Sequence, residues 1–190
     1  MMMTLEGPRL RLRPWQADDR APLAAINADA AVMRHFPKAL SRAESDAWLD
    51  GIEAHFAQHG WGFWAVERKA EPGLIGVVGL MTIPWQTDFT PAVEIGWRIA
   101  AAHQRQGYAE EAARLSLAAG FGAIGLGEVL AFTVPLNAPS WLLMAKLGMR
   151  PAGTFDHPRL SDDHPLRLHV LYRMSRQAWV GASRPERLTG

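Results

Sequence analysis

Apolar and polar positions alternate with a period of two in several short stretches of this chain and with a helical period in others. Arg9–Pro14 (RLRLRP) alternates Leu with Arg, the mark of a half-buried strand. Asp18 or Asp19 can cap a first helix that runs through Asn27. Ser41 is followed three residues later by Glu44, a capping-box spacing that predicts a helix to about Gln58, with Gly60 as its stop. Gly62–Arg68 (GFWAVER) and Leu74–Ile83 (LIGVVGLMTI) are aromatic and β-branched and read as strands, with Glu71-Pro72-Gly73 as the turn between them. Ala92–Ile99 (AVEIGWRI) alternates cleanly. Val93, Ile95, Trp97 and Ile99 share one face, while Glu94, Gly96 and Arg98 share the other, which is expected to be exposed.

After the loop AAHQRQG comes a helical stretch from Tyr108 in which Tyr108, Ala112, Leu115 and Ala119 form one stripe and Glu110 pairs with Arg114 on the solvent side. Val129–Val134 is a short apolar strand. Pro135–Leu136–Asn137 leads into a helix to about Leu147, with Pro139 near its start and Gly148 just past its end. Met149–Phe155 and Arg167–Met174 read as the last two strands, joined by the polar loop His157–Pro165. Consecutive strands imply antiparallel pairing, and the strand–helix–strand from Ala92 to Val134 implies a parallel crossover. The expected fold is therefore α/β (α+β): a mixed, mostly antiparallel sheet with helices on both faces, forming one domain over residues 1–180 and a flexible tail over 181–190.

Composition narrows the function classes. The chain has 190 residues, a net charge of +1 and no Cys. The missing Cys excludes a disulfide framework, a thiolate metal site and a covalent cysteine intermediate. The even charge balance disfavours a protein whose main partner is nucleic acid. No apolar run reaches the length of a membrane span and no signal-peptide core is visible, so a cytoplasmic location with no membrane partner is expected.

Chemistry concentrates in Val93–Ala109 (VEIGWRIAAAHQRQGYA), where a strand runs through a glycine-containing loop into a helix. That arrangement exposes unpaired backbone N–H groups at a helix N-terminus, where the dipole favours an anion. The loop matches neither GxxxxGK[ST] nor GxGxxG, so spacing alone leaves an anion site and an ordinary strand-to-helix turn both open.

Gln104-Arg105-Gln106-Gly107-Tyr108-Ala109 resembles the Q/R-x-x-G-x-G/A acetyl-CoA signature of the GNAT superfamily of N-acetyltransferases. Asn137-Ala138-Pro139-Ser140 and Ala145-Lys146-Leu147-Gly148-Met149 resemble that superfamily's N-x-x-S and K-L-G-F elements, so Lys146 joins the expected cofactor contacts, and Asn137 either joins them or caps the helix that follows. The opening RLRLRPW and the closing LHVLYRM are similar to the Rim-type branch, which includes ribosomal-protein N-terminal acetyltransferases. The resemblance spans about Arg9 to Met174. It implies a sheet that splays between its two central parallel strands, with pantetheine in the opening against the backbone of Trp97, Arg98 and Ile99. It also implies a pyrophosphate on the N–H groups of about Arg105 to Ala109, with Gly107 permitting close approach and Arg105 as a cationic contact or a solvated side chain.

Acetyl transfer to an amine needs a base, a donor for the carbonyl oxygen and a proton for the departing thiolate. Glu94 is the first choice for the base, set against an ordinary surface or salt-bridged carboxylate. The resemblance puts the usual thiolate donor, a Tyr, at the position held here by Met144, which cannot donate. Ser140 is the alternative donor, set against a helix-capping role. Trp85, in the loop PWQTDFTP, is a candidate for lining the acceptor pocket. So is Asp162, beside Asp163 and His164 in the late loop, against the default of solvated charges. His55 and His59 have two-His metal spacing but no third ligand, and no metal is expected. The expected activity is direct transfer of acetyl from acetyl-CoA to a primary amine, either a protein N-terminus or a small molecule, by a monomer or homodimer. A non-catalytic acyl-CoA-binding or sensor module and a ribosome- or RNA-associated protein are the rival readings.

Overall fold

The computed structural model describes residues 2–182. Eight strands form one sheet in the order β1-β2-β3-β4-β5-β6-β8-β7. The strands are β1 (Leu5–Glu6), β2 (Leu10–Arg13), β3 (Phe63–Arg68), β4 (Leu74–Thr82), β5 (Val93–Ile99), β6 (Glu128–Thr133), β7 (Arg150–Asp156) and β8 (Leu168–Ser175). Among the described residues, five α-helices accompany them: α1 (Arg20–Ala28), α2 (Arg42–His59), α3 (Tyr108–Phe121), α4 (Ala138–Lys146) and α5 (Arg176–Ala182). Every strand pair is antiparallel except β5 with β6. The mixed sheet with one parallel crossover is thus as expected.

Local chemistry sets these elements. The capping box at α2 is complete: Glu44 N donates to Ser41 Oγ at 3.2 Å and Ser41 N donates to Glu44 Oε2 at 2.8 Å. Gly60 ends the helix at φ 79°, where a residue without Cβ is unstrained. Asp19 precedes α1 but does not cap it with its side chain. Its carboxylate instead accepts from the two terminal guanidinium nitrogens of Arg13, at 2.7 and 2.9 Å, while Arg13 Nε donates to Glu67 at 2.9 Å, so the enclosed arginine is paired on both sides.

Two elements differ from expectation. β1 is only two residues long and carries no alternation to detect. α5 carries ordered chain two residues past the expected boundary at residue 180; the rest of the expected tail, 183–190, lies outside the described residues. No helix among the described residues is long and apolar enough to cross a membrane.

Two apolar clusters form. The larger runs from Leu10, Leu49 and Trp64 through β4 and β5 to Leu117 on α3 and Met144 on α4. The smaller buries Ile83, Leu130 and Leu171, and the side chains packed on it come from strands and from the loop around residues 84–92, none from a helix. Successive β6 residues divide between the two: Val129 and Ala131 belong to the larger cluster, and Leu130 and Phe132 to the smaller.

Candidate active site

The parallel strands β5 and β6 share a single register pair, Glu94 with Leu130. β4 pairs β5 along its whole length, from Thr82 opposite Val93 to Gly76 opposite Ile99, and β8 pairs β6 from Glu128 to Thr133. Both strands are therefore held on their outer sides and part from each other beyond Glu94. Hydrogen bonds at the two ends of the β4–β5 ladder fix which backbone groups look into this gap. Ala92 O accepts from Ile83 N, and Ala100 N donates to Ile75 O, both at 2.9 Å. The even-numbered residues between them thus point their backbone at β4, and Trp97 and Ile99 point theirs into the gap. The Ile99 carbonyl accepts from Gln104 Nε2 at 2.9 Å, which ties the following loop to the mouth of the opening.

Arg98 goes elsewhere. Its backbone faces β4 by the same parity, and its guanidinium lies over the rings of Phe36 and Trp48, 4.4 and 4.5 Å from their centroids. One nitrogen donates to Asn27 Oδ1 at 2.5 Å. The Arg98 backbone is therefore turned away from the opening where its pantetheine contact was expected, and the backbones of Trp97 and Ile99 face that opening. The face of β5 that carries Glu94, Gly96 and Arg98 is also half-buried, where an exposed face was expected. The Phe63 ring lies so close that a Cβ on Gly96 would sit 3.1 Å from it.

The loop after β5 enters α3 through two left-handed residues, Arg105 at φ 59° and Gly107 at φ 81°. Such residues turn successive N–H groups into an anion-binding concavity. The first intrahelical bond of α3 is Glu111 N to Gly107 O, and Gly107 brings no side-chain cap. Among the described residues, the N–H groups of Arg105, Gln106, Gly107, Tyr108, Ala109 and Glu110 have no acceptor. The Arg105 side chain is exposed, and the Gln106 amide donates to Ala102 O at 3.1 Å.

The acids of the first turn of α3 are neutralised, so they do not oppose an anion there. Glu110 pairs with Lys146 at 2.5 Å and with Arg114 at 3.0 Å. Its carboxyl is held below the usual range, chiefly by the Lys146 hydrogen bond. Glu111, which sequence reasoning passed over, reaches back to β2. Its Oε1 accepts from Arg9 N and Leu10 N at 2.8 and 3.0 Å, and its Oε2 takes Arg9 Nε at 2.7 Å. Arg9 also donates to the Gln106 carbonyl at 2.9 Å and stacks over Tyr108 at 4.7 Å. The only signal in sequence is the acid in the first turn of a helix, which is too common to single out.

Glu94 is partly buried. Desolvation pushes its pKa up to about 7, against a smaller opposing pull from Arg159. Burial wins, so close to half of Glu94 is ionised at neutral pH. In parallel register its side chain lies on the Leu130–Phe132 face of β6. Around that face stand Trp85, Phe89, Phe132, Phe155, His157 and His169. Trp85 lies 5.6 Å from Phe132 and stacks on Phe155 at 5.9 Å, and the two His rings are 5.0 Å apart. Burial lowers both histidines, His157 to about 4, so both are neutral at pH 7. Trp85 thus packs on the same face of the sheet as Leu130 and Phe132. The other five rings escaped sequence reading, because sheet order, not spacing, gathers them.

Asp162 is not part of this group. Its side chain is 97% exposed and pairs with Arg167. A loop acid with an adjacent arginine and free access to water has no drive to turn inward.

Asn137 precedes α4 without capping it. Its amide donates to Thr133 Oγ1 at 2.9 Å, at the end of β6. The Ser140 hydroxyl is half-buried in the first turn of α4 and has no protein partner among the described residues. Met144 is 2% exposed in the larger core. At the His55–His59 pair, Thr82 N donates to His55 Nε2 at 3.2 Å and His55 Nδ1 lies 2.9 Å from Trp61 O, so both His55 ring nitrogens are engaged.

Comparison with known proteins gives the family and the fold. Residues 9–150 match the family model described as an acetyltransferase (GNAT) domain. The chain is 28% identical over 197 residues to the FsC-acetyl coenzyme A-N(2)-transacetylase of Aspergillus fumigatus, covering 96% of this chain and 80% of that protein. Its fold is like that of a GNAT-family acetyltransferase from Bacillus anthracis, with a TM-score of 0.77 at 23% identity, covering 92% and 99% of the two chains. It is also like Mycobacterium smegmatis RimJ, solved in complex with CoA-disulfide, with a TM-score of 0.70 at 22% identity, covering 96% and 95%.

Proposed function

Because the chain belongs to the acetyltransferase (GNAT) family, we propose that it moves the acetyl group of acetyl-CoA onto a primary amine by direct attack in a ternary complex. The observation that carries this reading is the single pair Glu94–Leu130, which sets a carboxylate of pKa about 7 at the apex of a gap with free backbone groups on one wall. The A. fumigatus relative, named as an acetyl-coenzyme-A transacetylase, and the CoA-bound neighbour support acetyl-CoA as the donor.

The residues present suit that donor. Six consecutive unpartnered N–H groups, from Arg105 to Glu110, would hold the pyrophosphate, with Lys146 beside them. Trp97 and Ile99 would hydrogen-bond the pantetheine amides. The half-satisfied Asn137 amide, which keeps its oxygen free, would take part on the β6 side.

Glu94 acts as general base. It receives the proton that the ammonium must shed, directly or through one water. The neutral amine nitrogen bonds to the acetyl carbon, the carbon–sulfur bond breaks, and the Trp97 N–H steadies the negative charge on the carbonyl oxygen meanwhile. Ser140 hands a proton to the departing thiolate and takes up the second proton that the attacking nitrogen sheds on becoming an amide, since Met144 is apolar and enclosed. No Cys exists to carry an acetyl-enzyme. The acceptor is a protein N-terminus or a small-molecule amine.

Titration calorimetry with acetyl-CoA, followed by CoA-thiol release over a panel of amines and N-terminal peptides, tests the reading. Binding with release supports it, and no binding removes it. The buried Met144 at the usual donor position favours a second reading, a non-catalytic acyl-CoA-binding module. Binding without release to any acceptor would select that one.

A further inference from the structure

Glu94 and Leu130 project from the same side of the sheet because they are in parallel register. Among the described residues, no helix contributes a side chain to the cluster on that side. Leu171 lies opposite Phe132, and His169 opposite Phe155, so strand pairing alone lines up Leu130, Phe132, Leu171, His169 and Phe155 on a common surface. The loop between β4 and β5 folds Trp85 and Phe89 onto it. Only Ile83, Leu130 and Leu171 are fully buried here; the rings packed on them keep part of their faces open. Trp85, Phe89, Phe132 and Phe155 are each half-buried, so part of their ring surface stays open to an incoming molecule.

We propose that these partly open rings bind the body of the acceptor, and that the acceptor is a primary amine carried a short chain away from an aromatic group. The proposal rests on the transfer reading above and names the substrate class for the same site. The surface begins at the carboxylate that would receive the amine's proton, so an amine delivered to Glu94 lays whatever follows it across Phe132 and Trp85. Ring faces carry negative quadrupole density, which suits both an aromatic body and the adjoining ammonium. Arg159 lies close enough to Glu94 and His157 to act on the charge of both. A second positive group on the acceptor would meet this arginine and be repelled, so polyamines fit poorly. Two sources share the favoured chemistry: a free arylalkylamine and a peptide whose first residue is aromatic.

The test compares 2-phenylethylamine, a peptide amide beginning with Phe, n-butylamine and putrescine as acceptors with acetyl-CoA. One of the two aromatic acceptors should exceed both butylamine and putrescine at least tenfold in kcat/KM, and the better of the two identifies the source. Phe132→Leu keeps an apolar filler and should raise KM for the aromatic acceptor about tenfold while the Kd for acetyl-CoA stays unchanged. Equal or better use of butylamine or putrescine would overturn the proposal while leaving acetyl transfer intact. If acetyl-CoA binds and no amine is acetylated, the transfer reading falls by itself. Saturation-transfer NMR of 2-phenylethylamine on the CoA-loaded protein then decides the ring site: binding that Phe132→Leu abolishes supports it, and the absence of such binding ends it.

Discussion

Glu94 on β5 and Leu130 on β6 are the only residues that the two parallel strands hold in register among those described, and the strands part immediately beyond them. This relationship places a carboxylate where burial pushes its pKa up to about 7, against an ordinary value of 4.5. A base must be ionised to accept a proton. Rate should therefore rise with pH through about 7 and level off above it. Glu94→Gln should lower kcat/KM by about 10²- to 10⁴-fold at neutral pH, the usual range for a general base, and should remove the limb near pH 7. A pH–rate profile of the variant that keeps that limb would exclude Glu94 from the role.

The same burial predicts a stability effect. A carboxyl whose pKa is higher folded than unfolded binds more protons in the native state between those two values. Stability then falls as pH rises from about 4.5 to about 7 and changes no further from this group above that. Glu94→Gln removes this penalty, so the variant should gain melting temperature relative to the parent as pH is raised from 5 to 8. A constant difference across that range would contradict the buried-carboxylate account.

Arg9 and Glu111, 102 positions apart, clamp the start of β2 to the first turn of α3. Removing either residue has unequal consequences. Arg9→Ala loses one charge-assisted pair, with Arg9 itself 49% exposed at its side chain, for a cost of about 1–2 kcal/mol. Glu111→Ala also strips the acceptor from two backbone N–H groups, and should cost about 2–4 kcal/mol. Denaturant melts should rank Glu111→Ala below Arg9→Ala, with Glu111→Gln in between because it keeps an oxygen. The reverse order would show that the backbone bonds carry little.

Gly107 sits at φ 81°, and a Cβ there would stand 3.3 Å from Arg9 Nη2. The left-handed backbone costs a non-glycine residue about 1 kcal/mol or more, while a branched side chain would also shade the row of free N–H groups. Gly107→Val should weaken acetyl-CoA binding at least tenfold, with a loss of about 1–2 kcal/mol in stability. Titration calorimetry beside a denaturant melt separates the two effects. A loss of stability with unchanged Kd would mark the loop as an ordinary turn.

Much of this was legible in the chain itself, for local reasons. The Ser41–Glu44 box, the Gly60 stop and the alternation of Val93 to Ile99 are rules of one or two turns or a few strand residues, and they appear in the structure where expected. β1 was not legible because two residues carry no period. The burial of the Glu94 face was hidden because its cover, Phe63 with Phe36 and Trp48, comes from other elements. Arg98 has an apolar sandwich and a neutral Asn27 partner, an arrangement that no spacing announces. The rings beside Glu94 were out of reach for the same reason. Sheet order inserts β8 between β6 and β7 and so joins Phe132 to Phe155. Asp162 shows the converse: an acid in a plausible loop meets its own neighbour Arg167 and faces water.

The most direct test of the central claim follows the acetyl group itself. Enzyme is mixed with acetyl-CoA labelled in the acetyl carbon, with and without an acceptor amine, and both protein and amine are weighed by mass spectrometry. Direct transfer predicts labelled amine, one CoA thiol released for each amide formed, and a protein mass that does not change. Label that stays in acetyl-CoA across the whole panel, or that appears on the protein before it reaches the amine, would contradict the account.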